Sequence, residues 1–241
     1  FKQMIQFTAD ASHELRTPLT VIRGNLELAL RHNNNPGSYE RTMEIQEILA
    51  QSLEEAERLS GTVGQLMELT QLDSGEIQLE KEVFDLTELV AMTVDQMKLL
   101  AEDKLICLET QLSPAVKVQG DRYRLKQVLL NLIDNAIKYC PTGTRIQIRL
   151  AQTHSNCVLE VKDNGPGIPK SDIQRLFDRF YRIDKARSRE IGGSGLGLSI
   201  CRSICEGHGG KIEAESEFGR GSTFRVTLPS QAESQSERTL T

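Results

Sequence analysis

No run of apolar residues in this 241-residue sequence approaches the ~18–20 needed to cross a bilayer, and no signal peptide opens it. Positive charge is not in excess. The 29 Lys and Arg stand against 34 Asp and Glu, and a net charge of −5 leaves no electrostatic footprint for nucleic acid. The five cysteines, Cys107, Cys140, Cys157, Cys201 and Cys205, include no CxxC pair of the zinc type and are odd in number. They read as buried thiols acting as small hydrophobes in a reducing, cytoplasmic compartment. What is present, 38% hydrophobic and 26% charged residues, is the composition of a soluble globular protein with room for one large domain or two small ones. The chain starts at Phe1 inside a helical pattern, so an upstream part is expected.

Residues 7–30 carry the pattern around which the chain is organised. At about 100° per residue, Leu15, Leu19, Ile22, Leu26 and Leu30 fall on one side of a helix, with Phe7 and Ala11 close by. On an ideal helix His13 lies roughly 160° from the centre of that stripe, sharing a polar face with Asp10, Thr17 and Thr20. Pro18 removes a backbone hydrogen bond within the pattern, a disruption of about 3 kcal/mol that usually kinks a helix. Glu14, beside His13, can orient an exposed imidazole and accept its proton. Taken alone, the histidine also reads as a polar residue on a solvated face. Helix, proline, histidine and glutamate together point to a reactive side chain.

A turn at 33–37 separates this helix from a second, capped by Ser38 and running to about Leu72. Its apolar residues Ile45, Leu49, Leu53, Ala56, Leu59, Val63, Leu66 and Leu69 make a nearly heptad stripe. A lone hairpin buries neither stripe well. The pattern therefore predicts an antiparallel helical hairpin that pairs with a second copy as a dimeric four-helix bundle, or else packs on the rest of its own chain. Asp73-Ser74-Gly75-Glu76 breaks the pattern and reads as a hinge. Beyond it, helices are expected at 86–103 and at about 122–139 with Asp121 as cap. Strands are expected at Val83-Phe84, 106–110, 116–119, 145–151, 158–161, 211–216 and 223–228, with two short helices flanking a glycine-rich segment. The architecture expected is thus α plus α/β: the hairpin over 1–74, an α/β sandwich over 75–229 and a polar tail over 230–241.

Three clusters in the second part carry candidate chemistry. Asn131, Asn135 and Lys138, spaced four and three apart, put two amide oxygens and an ammonium on one helix face. Amide oxygens suit Mg²⁺ and a lysine suits phosphate, although a plain polar face has the same look. Asp163-Asn164-Gly165-Pro166-Gly167 follows a strand, with glycines that let a ligand approach and an acid able to accept from an adenine amino group. Tight turns share that composition. GGSGLGL at 192–198 opens a helix whose free N–H groups make an anion site, without P-loop spacing. Ahead of it lies LFDRFYR at 176–182 and a charged stretch. Arg182, Arg187 and Arg189 there can fold over a phosphate as a lid, or belong to an ordinary surface loop.

All of these in this order, behind the His13 helix, resemble the catalytic core of bacterial-type sensor histidine kinases over roughly residues 4–229. SHELRTPL resembles the phosphoacceptor box, NLIDNAIKY the Asn box, DNGPGI and GGSGLGLSI the glycine boxes, and LFDRFYR the phenylalanine box. The resemblance implies that His13 is the phosphoacceptor, Glu14 its proton acceptor, and Thr17 a helper of water attack on a partner's phospho-aspartate. It makes the second domain similar to the ATP-binding fold of gyrase, Hsp90-type chaperones and mismatch-repair ATPases. Those ATPases carry a water-activating glutamate where Asn131 stands, which favours phosphoryl transfer over hydrolysis here. By the same likeness Asn131 belongs to the nucleotide site and Asn135 binds Mg²⁺. Lys138 contacts phosphate, Tyr139 stacks on adenine, Asp163 reads the adenine amino group and Arg182 meets the γ-phosphate. Gly165, Gly167, Gly193, Gly195, Leu196 and Gly197 line the nucleotide. Cys140 departs from the usual Ser or Thr, at a position expected to matter little.

The function implied is a homodimeric ATP:protein-histidine phosphotransferase that uses ATP and Mg²⁺. It passes the phosphoryl group from His13 to an aspartate of a response-regulator receiver domain, with phosphatase activity toward that regulator as a second expectation. The same likeness implies a cytoplasmic fragment, joined to the plasma or inner membrane only through an upstream segment. Two rivals are an ATPase that couples hydrolysis to shape change and a degenerate dimeric scaffold. Asn131 and the exposed His13 argue against the first; intact Asn135, Asp163 and the glycines argue against the second.

Overall fold

The computed structural model describes residues 2–33, 39–153, 155–184 and 193–230. The expected turn at 34–37, the Ser38 cap, Arg187, Arg189, Gly192 and the tail from 231 lie outside the described residues. The chain divides into two compact units, Phe1–Thr70 with Arg179–Leu196, and Gln71–Asp178 with Gly197–Thr241.

The first unit is built on α1 (Lys2–Asn33) and α2 (Tyr39–Ser74). α1 runs through Pro18 without interruption. Proline has no N–H for the Glu14 carbonyl one turn back. Ala11, Ala29, Ser52 and Leu69 are buried, but much of each predicted apolar stripe is not. Leu19, Leu26 and Leu30 on α1 and Leu49, Leu53 and Val63 on α2 are exposed, Leu30 by 65% and Leu53 by 62%. α2 stops where Gly75 takes φ +71 and donates to the Leu72 carbonyl, a left-handed C-terminal cap suited to glycine. No helix among the described residues is long and apolar enough to cross a membrane.

The second unit is a two-layer α/β sandwich. Its elements in chain order are β1 (Glu82–Asp85), α3 (Leu86–Glu102), β2 (Cys107–Leu112), β3 (Lys117–Gly120), α4 (Arg122–Tyr139), β4 (Arg145–Gln152) and β5 (Asn156–Asp163). They continue with α5 (Lys170–Ile173), α6 (Gly197–Gly207), β6 (Lys211–Glu217) and β7 (Gly221–Pro229). The main sheet has the order β2-β4-β5-β7-β6, parallel only between β2 and β4; β1 and β3 pair separately. Alternation in β4 and β7 buries Ile146, Ile148 and Leu150, then Phe224, Val226 and Leu228, against apolar faces of the helices. The open face carries ion pairs instead: Arg225 binds Glu160 at 2.8 Å and Glu215 at 2.9 Å. Cys140, Cys157, Cys201 and Cys205 are buried free thiols, as expected, whereas Cys107 is exposed.

Caps fix where the helices begin. Asp85 Oδ1 accepts from the N–H groups of Thr87 and Glu88 at the start of α3. Asp121 Oδ1 accepts from Arg124 N–H at the start of α4, while its Oδ2 accepts from Glu80 N–H. A buried histidine completes this junction. His208 Nε2 accepts from Asp121 N–H at 2.8 Å, so Nδ1 carries the proton and donates to the Ile204 carbonyl at 2.7 Å. Burial, opposed by the Ile204 bond, pushes His208 below the ordinary imidazole value of 6.5. Protonation would turn Nε2 from acceptor to donor facing a donor. The folded unit thus binds this proton less readily than the unfolded chain, and stability present above pH 6.5 is lost as pH falls below it. Thermal melts from pH 8 to 5 should show that loss. His208→Ala should remove most of the step at a cost of about 1–3 kcal/mol at neutral pH.

Candidate functional site

In the first unit His13 stands on the exposed side of α1. Thr17, one turn on, is exposed too, and its hydroxyl donates to the His13 carbonyl at 3.3 Å. Glu14 is half-buried, and its Oε2 lies 3.5 Å from Arg182 Nη1, an ion pair whose arginine side chain is only 5% exposed. Arg58 on α2, bound to Glu55 through two nitrogens, also feels the Glu14 charge. The aromatic–basic run before the glycine-rich segment supplies further contacts with α1. Phe180 packs against Phe7 with centroids 6.0 Å apart, and the Arg179 guanidinium sits 5.0 Å from the Phe7 ring centre.

The glycine-rich segment is shaped by close approach. Phe180 has φ +58, and a Cβ on Gly195, itself at φ +75, would lie 2.8 Å from the Phe180 carbonyl carbon. Glycine alone fits there without strain. Ser194 Oγ donates to Gln65 Oε1 on α2 at 2.6 Å and accepts from Leu196 N–H. Leu196 is buried and Gly193 half-buried. His13, Glu14, Thr17, Arg182, Gly193, Gly195 and Leu196 therefore all belong to the first unit.

The second unit holds the remaining site residues. Asn131, Asn135 and Lys138 are half-buried along α4 and Tyr139 is exposed at its end. The Lys138 ammonium meets Asp134 Oδ2 at 2.6 Å, one turn back, with both side chains over a third exposed. Gly197 begins α6 beside Asn131: a Cβ there would sit 3.7 Å from the Asn131 amide oxygen, so the helix start and the amide adjoin. Lys104, which sequence reasoning passed over, donates to the carbonyls of Ile137 and Lys138 and closes the C-terminal end of α4.

Asp163 ends β5 as a buried acid. Its Oδ1 accepts from Gly165 N–H at 2.8 Å and from Ser222 N–H on β7 at 3.2 Å. Burial raises its pKa above the usual carboxylate range, and those two N–H donors pull the other way. The loop that follows is pinned to the β6–β7 hairpin. Gly219 N–H donates to the Pro166 carbonyl, and Ile168 N–H donates to Ser216 Oγ. Gly167, at φ +67, passes so close to the Glu217 carbonyl that no side chain fits. Cys140 caps the end of α4 and adjoins Asp163 across Gly165, a role the sequence did not show.

An α/β sandwich with a buried acid at a strand end, an amide-bearing helix and a glycine-opened helix defines a nucleotide-binding domain, here attached to a long helical hairpin. Residues 120–232 match the family described as histidine kinase-, DNA gyrase B- and HSP90-like ATPase, and residues 3–75 match the His Kinase A (phospho-acceptor) domain. The chain is 36% identical over 234 residues to the sensor histidine kinase WalK of Bacillus subtilis, spanning 96% of this chain and 38% of that protein. It is 37% identical over 228 residues to the signal transduction histidine-protein kinase ArlS of Staphylococcus aureus, 94% of this chain and 49% of that one. It therefore spans half or less of these curated relatives. Among solved structures, the histidine kinase AdeS of Acinetobacter baumannii superposes with a TM-score of 0.70 at 27% identity, covering 91% of this chain and 98% of that chain. The histidine kinase ThkA, solved in complex with the response regulator protein TrrA, gives a TM-score of 0.73 at 27% identity, covering 95% and 63%. The chain belongs to the sensor histidine kinases of two-component systems.

Proposed function

We propose that the second unit binds Mg-ATP and that His13 takes the γ-phosphoryl group, which then passes to an aspartate of a response-regulator receiver domain. A ring nitrogen of His13 attacks the γ-phosphorus, the bond to the β–γ bridging oxygen breaks and ADP leaves. Glu14 accepts the imidazole proton. Catalysis is chiefly positioning and charge neutralisation. The observation that carries this reading is the exposed His13 with a carboxylate beside it, on the same chain as a nucleotide-type sandwich that has Asn131 rather than a glutamate. An amide cannot deprotonate water, so hydrolysis lacks its base.

Asp163 reads the adenine amino group, Tyr139 stacks on the ring, and Gly165, Gly167 and Gly197 let the nucleotide approach. Lys138 exchanges Asp134 for phosphate, which its exposure permits. Arg182 meets the γ-phosphate in the reacting state, leaving Glu14 to act as base. Among the described residues no group of three or more His, Cys, Asp or Glu is placed to hold a metal. Mg²⁺ needs no such cage, because ATP oxygens and waters fill most of its six positions, and the Asn135 amide oxygen suits one of the rest. When bound, the ion neutralises phosphate charge. The uncovered stripes of α1 and α2 support a homodimeric four-helix bundle, in which a second copy covers them.

The test is incubation with Mg-ATP labelled at the γ-phosphate, followed by addition of a receiver domain. Acid-labile, base-stable label on the chain that moves to the receiver supports the reading; release of free phosphate without labelled protein returns the ATPase. Thr17 and Glu14 also support dephosphorylation of the regulator, Thr17 orienting the attacking water. Thr17→Ala should slow that dephosphorylation at least tenfold, a typical scale for loss of one positioning group, and leave labelling of His13 intact. An unchanged rate removes the phosphatase assignment.

A further inference from the structure

Cys140 is a buried thiol that the proposed mechanism leaves without a task. It follows Tyr139 as the C-terminal cap of α4, its N–H donating to the Ala136 carbonyl at 3.0 Å and its own backbone already extended. The side chain turns toward the end of β5. A Cβ on Gly165 would lie 2.9 Å from Cys140 Sγ and equally 2.9 Å from Asp163 Oδ1, so thiol, carboxylate and bare glycine share one small space. Gly165 is not at positive φ, and steric room, not backbone freedom, is what this position needs. Within that space the thiol faces the Asp163 carboxylate as a neighbouring donor, and the two bear on each other's titration. Burial and the Asp163 charge push the thiol up to about 11, so it remains protonated, a donor, and a poor nucleophile across the neutral range.

Asp163 is thus held from three separate segments: the loop through Gly165 N–H, β7 through Ser222 N–H, and the end of α4 through the thiol. The two backbone donors both reach Oδ1, one from the loop and one from β7. The thiol adds a contact from the end of α4 and so ties the carboxylate to the helix bearing Asn131, Asn135 and Lys138. We propose that Cys140 is a positioning residue for base recognition: it fixes the Asp163 carboxylate in the orientation that accepts the 6-amino hydrogen bond of adenine. This rests on the assignment of Asp163 as the adenine reader.

The test compares the binding of two triphosphates to the whole chain, ATP and the purine riboside triphosphate that lacks the 6-amino group. Cys140→Ala should weaken ATP about three- to tenfold, the scale of one lost ordinary hydrogen bond, and leave the analogue unchanged. Cys140→Ser, which keeps a donor at the same place, should restore ATP affinity. Should the alanine variant melt below the assay temperature, Cys140→Val supplies similar bulk without a donor. An equal loss for both ligands, or no loss for either, overturns the proposal, because a packing role cannot distinguish the amino group. Asp163→Asn measured alongside separates the two levels of the argument. If that variant also treats the two ligands alike, the adenine assignment falls and the role of Cys140 falls with it.

Discussion

His13→Gln is expected to reduce incorporation of γ-phosphate label to background while ATP affinity and melting temperature stay where they are. Glutamine is close to histidine in reach and polarity but offers no ring nitrogen, and an amide nitrogen is not a nucleophile at neutral pH. His13 is exposed on α1, so no packing is lost, and such surface changes usually stay within about 0.5 kcal/mol. The nucleotide-binding residues proposed on α4, β5 and α6 belong to the other unit, which is why binding should not respond. Filter binding of labelled ATP beside acid- and base-treated gels of the labelled protein makes the separation clear. Acid-stable label persisting on the variant would move the acceptor to another side chain.

Much of this architecture is legible in the sequence because it depends on local chemistry. Asp121 stands where an acid ahead of an apolar-periodic run should cap a helix, and it does; Asp85 caps α3 by the same local chemistry. The strands of the second unit alternate as a half-buried sheet requires. Their ends are less readable. β5 begins at Asn156 rather than Val158 and runs to Asp163, because pairing with Pro229 and Leu228 on β7 holds residues that no local pattern marks. The parallel pairing of β2 with β4 has no local signal either.

The site divides in the same way. Its boxes could be found one at a time, since spacing along a helix puts Asn131, Asn135 and Lys138 on one face. Their partners could not. Asp163 meets Ser222 across 59 positions, and Asp121 meets His208 across 87. The Glu14–Arg182 pair joins candidate residues far apart in the sequence through an ion pair that charge patterning alone would never select. Cys140 is the clearest case. Read alone it is a small hydrophobe at a helix end, and only the geometry around Gly165 gives it a neighbour with a purpose. Absence of packing was legible too. Of the leucines in the two predicted stripes, Leu19, Leu26, Leu30, Leu49 and Leu53 are left exposed, whereas Leu69 is buried.

Asp163→Asn should weaken ATP by about five- to 150-fold, equivalent to about 1–3 kcal/mol for a buried hydrogen-bond partner turned the wrong way. The substitution is close to isosteric. The asparagine oxygen can still accept from Gly165 and Ser222, so the loop should keep its shape, but its NH₂ then faces the adenine amino group, donor against donor. The pH dependence gives an independent check. Burial raises the Asp163 pKa, so the folded protein protonates this carboxyl at a higher pH than a free aspartate would. The acceptor form is present above that raised value and is lost as pH falls through it. Wild-type ATP affinity should therefore decline on acidification before ordinary carboxylates titrate, whereas the asparagine variant should follow only the titration of ATP itself. The purine riboside triphosphate corrects for that titration, because its phosphates ionise as those of ATP do. An ATP-to-analogue ratio that falls with acid in wild type and stays flat in Asp163→Asn ties base recognition to this one buried carboxylate. A ratio flat in both would assign the base to another group on the same unit.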